Sequence, residues 1–288
     1  MLDRETLQKV RRIRIRTRTI LESGIVGAYH AVFKGRGMEF AAVREYTPGD
    51  DVRSIDWNVT ARMSAPYVKR YVEERDLTLL LLVDVSGSQA FGSRFLLKRD
   101  YAAELAAVLA FSAVANQDRV GAVLFTDRIE SYVAPGRGAD HALRIVRDLL
   151  ACDPAGRGTD LAGALRFALR SMKRRGIVAV VSDFQDSGYD RALGILRARH
   201  DVVAFRLFDP GETEMPAAGL VSLVDPETGE RHVVDTSDPE IRRRLRSSAP
   251  GGTEEVLRRA RVDALPLSTA ESYERPLTAF FKKRERRR

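Results

Sequence analysis

Residues 77–88 read LTLLLLVDVSGS, an uncharged apolar run that ends in one carboxylate and two hydroxyl side chains. The run from Leu77 to Val83 shows no alternation of polar and apolar residues, which is typical of a β-strand covered on both faces. In open α/β sheets, ligands bind at the carboxyl ends of such strands. Asp84, Ser86 and Ser88 provide oxygen ligands of the kind that Mg²⁺ prefers, so these residues predict a metal site whose other ligands lie elsewhere in the chain.

After this strand, apolar segments of strand length alternate with segments of helix length, which is the signature of βαβ units and a parallel sheet. The predicted strands cover residues 77–84, 118–127, 129–134, 176–184, 201–209 and 264–267, with a hairpin at 220–224 and 232–235. The predicted helices cover residues 95–116, 139–150, 159–174, 189–199 and 239–261, followed by a basic terminal helix. We therefore expect an α/β fold with a mostly parallel sheet flanked by helices.

The first 75 residues have a different pattern. Residues 3–22 predict a basic helix, and residues 35–75 predict short strands and turns around the strong turn signal Pro48-Gly49. Asp50 and Asp51, which follow this turn, are expected to satisfy local backbone donors, and Arg44, Arg53 and Arg62 are expected to pair with the acids of this segment. The predicted division is a small β-rich N-terminal accessory region at residues 1–75 and a main domain at residues 76–288, with a hairpin insertion at about 211–236.

Composition limits the class of protein. The 288 residues suffice for one large domain with an accessory region, and the single cysteine, Cys152, excludes an intramolecular disulfide and a Cys-based zinc cluster. The longest uncharged run, residues 105–117, is shorter than the roughly 18 apolar residues that indicate a membrane-spanning helix. We therefore expect a cytoplasmic protein without a transmembrane segment.

The net charge of +8 is concentrated at the two ends of the chain. Residues 1–20 carry seven positive and two negative charges, and residues 281–288 carry six and one. Basic ends can bind nucleic acid, but this chain lacks a recognisable nucleic-acid-binding module and aromatic residues among the basic ones. Solvated helix ends are the commoner meaning of such charge runs, so we expect no specific nucleic-acid partner.

Two later segments offer the missing ligands for the site that begins at Asp84. Gly158-Thr159-Asp160 precedes a predicted helix, and Ser182-Asp183 closes another buried strand. Taken singly, each of these residues also has an ordinary interpretation as a helix cap or a turn residue. Together they favour a shared site, because the carboxyl ends of parallel strands lie at one edge of a sheet.

The combination resembles the metal-ion-dependent adhesion site of the von Willebrand factor A fold, which uses Asp-x-Ser-x-Ser, a threonine from a later loop and an aspartate from a later strand end. The matching positions in this chain are Asp84, Ser86, Ser88, Thr159 and Asp183. DRVGAVLFTD and GTDLAGAL also resemble segments of such domains. The resemblance implies that Mg²⁺ or Mn²⁺ binds at these residues. We further expect a partner protein to supply an Asp or Glu side chain to the metal.

The segment at residues 37–75, which includes VREYTPGDDVRSIDW, resembles the signature of the DUF58 family. Members of this family carry a von Willebrand A-like domain and are often encoded beside MoxR-type AAA+ ATPases. The resemblance implies an adaptor that works with such an ATPase in the assembly or remodelling of client proteins.

One class of enzyme stays open as the alternative to a binding protein. A Mg²⁺-dependent phosphatase of the haloacid-dehalogenase type also places an aspartate after its first strand, but its motif resembles Asp-x-Asp, where this chain has Ser86. A Ser-His-Asp hydrolase is disfavoured because VSGS at 85–88 lacks the first glycine of Gly-x-Ser-x-Gly. We therefore expect a protein-interaction module without catalytic residues, with the phosphatase as the second candidate.

Overall fold

A computed structural model describes residues 4–33, 38–63, 65–73, 77–93, 96–212, 217–225, 229–247 and 252–287. In chain order, its helices and strands are α1 (Arg4–Ile20), α2 (Val26–Phe33), β1 (Met38–Glu45), α3 (Trp57–Thr60), β2 (Tyr67–Glu73), β3 (Thr78–Asp84), α4 (Lys98–Ala115), β4 (Arg119–Phe125), β5 (Ile129–Gly136), α5 (Ala139–Leu150), α6 (Leu161–Ser171), β6 (Ile177–Ser182), α7 (Asp190–Arg199), β7 (Asp201–Phe208), β8 (Leu220–Val224), β9 (Arg231–Asp235), α8 (Pro239–Ser247), α9 (Thr253–Arg259), β10 (Asp263–Ser268) and α10 (Glu274–Glu285). Shorter helical segments are the 3₁₀ turns Val52–Ser54, Gly87–Ala90 and Pro210–Glu212 and the π-helical segment Leu21–Ile25.

The central sheet of the described residues has six strands in the order β10-β7-β6-β3-β4-β5. Its strands are parallel except for β5, which pairs antiparallel with β4 at one edge. The predicted α/β fold with a mostly parallel sheet flanked by helices is therefore confirmed. The segment predicted at 129–134 is the edge strand β5.

Strand β3 owes its central position to side chains that are buried on both faces. Leu80 and Leu82 pack in one hydrophobic cluster with Leu165 of α6 and Leu193 of α7. The intervening leucines, such as Leu81, face the other side, where α4 contacts β3 and β4. Burial of each leucine side chain contributes about 1.5–3 kcal/mol to the stability of the fold. The uncharged run therefore both places β3 in the middle of the sheet and stabilises it there.

The hairpin and the C-terminal helices follow the prediction with one difference of detail. Strands β8 and β9 form a separate antiparallel pair between β7 and α8. The helix predicted at 239–261 corresponds to α8 and α9, and residues 248–251 between them lie outside the described residues. No helix in the described ranges is long and apolar enough to cross a membrane.

The chain divides into two compact units. The main unit consists of Met1–Val32 and Thr78–Arg288, and the small unit of Phe33–Leu77. Helix α1 belongs to the main unit because Ile13 and Ile20 are buried and Arg16 pairs with Glu104 of α4 at 2.8 Å. The predicted division at residue 75 places α1 in the accessory region, whereas the structure places it in the main unit.

The small unit contains the antiparallel pair β1–β2 and the predicted turn. The turn at Pro48-Gly49 is closed by a backbone hydrogen bond from Asp50 N to Thr47 O at 3.1 Å, and Gly49 has a φ of 111° that suits glycine. Arg44 contacts both carboxylate oxygens of Asp50 at 2.7 and 2.6 Å, and its hydrogen bond holds the pKa of Asp50 well below the usual range. The predicted local role of Asp50 is confirmed.

Candidate functional site

The carboxyl ends of β3 and β6 carry the predicted site residues. Asp84 is the last residue of β3, and Asp183 directly follows β6. Ser86 precedes the 3₁₀ turn Gly87–Ala90, which contains Ser88. Because β3 and β6 are adjacent and parallel, both aspartates leave the sheet at the same edge, which we call the carboxyl edge.

Hydrogen bonds join these residues into one network. Asp84 accepts from the Ser86 N–H at 3.0 Å through Oδ1 and from the Ser182 hydroxyl at 2.6 Å through Oδ2. The Ser86 and Ser88 hydroxyl oxygens lie 3.2 Å apart, and the Ser88 hydroxyl donates to Asp183 Oδ2 at 2.8 Å. The fold therefore brings Asp84, Ser86, Ser88 and Asp183 together, with Ser182 as an additional member.

Thr159 reaches the same edge through the loop that carries it. The Gly87 N–H donates to the Arg157 carbonyl at 2.9 Å, which joins this loop to the turn of the Asp-x-Ser-x-Ser motif. Asp160 caps α6, because its carboxylate accepts from the Gly163 N–H at 2.7 Å. The capping role therefore belongs to Asp160, and Thr159 lies half-buried beside it.

Asp84 is buried in an environment that disfavours its charge. Burial raises the pKa of Asp84 to about 6, and the charge of Asp183 adds to this rise. Hydrogen bonds from Ser182 and Ser86 oppose it. Two interacting carboxylates at a buried site form an arrangement that a cation stabilises.

Lys98 is a member of the site that sequence reasoning missed. Its ammonium lies 2.7 Å from Asp183 Oδ2 and also pairs with Glu212, and its side chain is fully buried. Burial acts to lower the pKa of Lys98, but the charges of Asp183 and Glu212 outweigh it, and the pKa is raised. A signal for Lys98 was present in the sequence, because it shares one helical face with Tyr101 and Leu105, both buried.

The donor set fits a hard divalent cation. Hydroxyl and carboxylate oxygens converge at the carboxyl edge, and the buried Gln89 Oε1, next to Ser88, has no hydrogen-bond partner among the described residues. The three carboxylates of Asp84, Asp183 and Glu212 and the single ammonium of Lys98 leave two negative charges when all are ionised. In the described ranges no group of three or more His, Cys, Asp or Glu side chains is placed to hold a metal ion, so such an ion would also depend on the hydroxyl groups.

Comparison with known proteins identifies the family. The sequence model described as "Protein of unknown function DUF58" matches residues 42–254. The chain belongs to the DUF58 family. An uncharacterized protein of Mycobacterium tuberculosis is 33% identical over 261 residues, which cover 90% of this DUF58 protein and 82% of the relative. An uncharacterized protein of Mycobacterium bovis matches with the same values.

Solved structures resemble this DUF58 protein in fold. The structure of an aerotolerance-related membrane protein from Bacteroides fragilis matches with a TM-score of 0.50 and 15% identity, over 72% of this chain and 99% of that chain. A von Willebrand factor type A structure from Catenulispora acidiphila matches with a TM-score of 0.37 and 12% identity, over 73% and 42% of the two chains. The mostly parallel sheet, with Asp-x-Ser-x-Ser at the end of a central strand, is the predicted von Willebrand A-like fold.

Proposed function

We propose that this DUF58 protein is a metal-dependent protein-interaction module that works with a MoxR-type AAA+ ATPase in the assembly or remodelling of client proteins. The observation that carries the proposal is the hydrogen bond from Ser88 to Asp183, which joins the Asp-x-Ser-x-Ser turn to a second strand end beside the buried Asp84. The ATPase partnership is carried over from the family resemblance, and the cytoplasmic location is the expectation from composition.

The site residues have distinct roles in this proposal. A Mg²⁺ or Mn²⁺ ion held by Asp84, Ser86, Ser88, Thr159 and Asp183 would supply an open coordination position to an Asp or Glu carboxylate of the partner. Ser88 is half-buried, in contrast to the fully buried Asp84. Asp84 holds the turn in place, because it accepts hydrogen bonds from the Ser86 backbone and from Ser182.

The phosphatase alternative has less support. An aspartate nucleophile needs a carboxylate oxygen that a substrate can approach. Asp84 is fully buried, and each of its oxygens already accepts a hydrogen bond. A generic phosphatase substrate with Mg²⁺ separates the two functions: turnover by the wild-type protein that is lost in Asp84→Asn would favour the enzyme.

Metal binding by purified variants tests the proposal directly. Asp84→Ala and Ser88→Ala should each weaken Mn²⁺ binding at least about tenfold, a loss of about 1.4 kcal/mol, in a calorimetric titration. Ser187→Ala is the matched control, because Ser187 is an exposed serine that follows the same strand β6. Circular dichroism reports whether each variant is folded. Unchanged Mn²⁺ affinity in folded Asp84→Ala and Ser88→Ala would overturn the metal site.

Capture of partners tests the interaction. Tagged wild-type protein should retain an AAA+ ATPase from cells of its source organism in the presence of Mg²⁺ and release it with EDTA. Ser88→Ala should retain less ATPase than the wild type in Mg²⁺ and the same small amount in EDTA, and Ser187→Ala should behave as the wild type does in both conditions. Equal retention of the ATPase by wild type and Ser88→Ala would refute a role of the metal site in this contact.

A further inference from the structure

Lys98 lies at the first position of α4, inside the network of the proposed metal site. Its side chain is fully buried, which is rare for lysine unless the charge is paired. Its ammonium contacts Asp183 Oδ2 at 2.7 Å. This is the same carboxylate oxygen that accepts the hydrogen bond from Ser88. One oxygen of Asp183 therefore accepts hydrogen bonds from both the Ser88 hydroxyl and the Lys98 ammonium.

Glu212 is the second partner of this ammonium and is held firmly in place. It ends the 3₁₀ turn Pro210–Glu212 after β7, and its Oε2 accepts from the Asp209 N–H at 3.0 Å. Asp209 is itself buried and accepts from the Ser93 N–H at 3.0 Å and from the Gly211 N–H at 2.8 Å. The Glu212 carboxylate therefore contacts the ammonium from a position that is anchored by the backbone.

We propose that Lys98 is an internal cation that competes with a divalent metal for Asp183, and that Glu212 weakens this competition by sharing the ammonium. The inference rests on the metal-dependent function proposed above and adds the residues that set its affinity. Two cations that approach one carboxylate repel each other, and this repulsion is poorly screened in a buried site. Removal of Lys98 should therefore strengthen metal binding, and removal of the Glu212 charge should weaken it.

A purely structural role for Lys98 predicts a different pattern. In that case Lys98→Met and Glu212→Gln would both lower the stability of the fold without opposite effects on metal affinity. If the charges of Lys98 and Glu212 act on the metal separately, a third pattern is expected. The effects of the two substitutions on metal affinity would then be independent of each other. The double variant distinguishes these, because the effect of Glu212→Gln should disappear when Lys98 is absent.

The experiment measures Mn²⁺ binding by electron paramagnetic resonance at constant pH and ionic strength. Lys98→Met should bind Mn²⁺ about tenfold more tightly than wild type, and Glu212→Gln about threefold more weakly, because its effect passes through the ammonium. Lys9→Met is the matched control, since Lys9 pairs with Asp100 of the same helix α4 at 3.3 Å and should leave Mn²⁺ affinity unchanged.

Each result decides between the inference and the proposed function. Equal Mn²⁺ affinity in wild type and Lys98→Met would overturn the role of Lys98 and leave the metal site intact. If Lys98→Met binds Mn²⁺ and the wild type does not, the competition is supported and a metal-dependent function of the native protein is rejected. If neither protein binds Mn²⁺, the inference and the proposed function are both overturned. If Lys98→Met folds only with Mn²⁺, the ion replaces the ammonium, which supports the inference. If it folds in neither condition, Glu212→Gln decides, and an unchanged affinity there refutes the proposal.

Discussion

The charge of Asp84 should make the metal-free protein less stable as the pH rises. The folded state holds the Asp84 proton with a pKa of about 6, because the carboxyl is buried near Asp183. In the unfolded chain the corresponding value is about 3.9. Between these two values the folded state keeps a proton that the unfolded state has lost, so the free energy of unfolding falls with rising pH. Above the folded-state pKa this loss is complete.

The magnitude follows from the two pKa values. From about pH 4.5 to about pH 7.5, ionisation of Asp84 should lower the free energy of unfolding by about 2 kcal/mol. Asp84→Asn cannot ionise at this position and therefore lacks this contribution. Relative to wild type, the stability of Asp84→Asn should thus be about 2 kcal/mol more favourable at the higher pH than at the lower.

Urea denaturation with EDTA, followed by far-ultraviolet circular dichroism across this pH range, measures the difference. Carboxylates that do not interact with Asp84, such as Asp209 with its lowered pKa, contribute equally to both proteins and cancel. Ser187→Ala, which changes an exposed residue that does not ionise in this pH range, is the control whose difference from wild type should stay constant with pH. A wild-type minus Asp84→Asn difference that is also constant, or that changes in the opposite direction, would refute the electrostatic description of the site.

Two further predictions concern residues that stabilise the central sheet. Arg284 of α10 is buried and contacts Asp263 at 2.7 Å and also Asp201, so Arg284→Met should cost about 3–5 kcal/mol in urea denaturation. Replacement of the exposed Arg258 by Met should lower the free energy of unfolding by less than about 1 kcal/mol. Equal losses in the Arg258 and Arg284 variants would contradict the buried ion-pair interpretation. Gly121→Ala should cost about 1–3 kcal/mol, because a Cβ there would lie 2.9 Å from the Val133 carbonyl oxygen; an unchanged Tm would show that β5 can shift.

Much of the site could be predicted because its signals are local. An uncharged run of seven residues favours a strand buried on both faces, and β3 has this position. The meeting of Asp84 and Asp183 follows from one further rule, that parallel strands end at a common edge. The cap of α6 was less certain, because Thr159 and Asp160 are both good capping residues and only the loop geometry selects Asp160.

Residue order along the chain determines the strands, the helices and the side chains proposed as oxygen ligands, since these depend on neighbours a few positions apart. Tertiary structure decides which distant side chains share a site. Helix α1 packs on the main unit although it precedes the small unit in sequence, because an apolar helix face carries no information about its partner. Lys98 meets Asp183, 85 residues away, and Glu212, 114 residues away, so its ammonium at the proposed metal ligands is a consequence of the fold. A buried charge depends on which groups surround it, and only the folded chain brings those groups together.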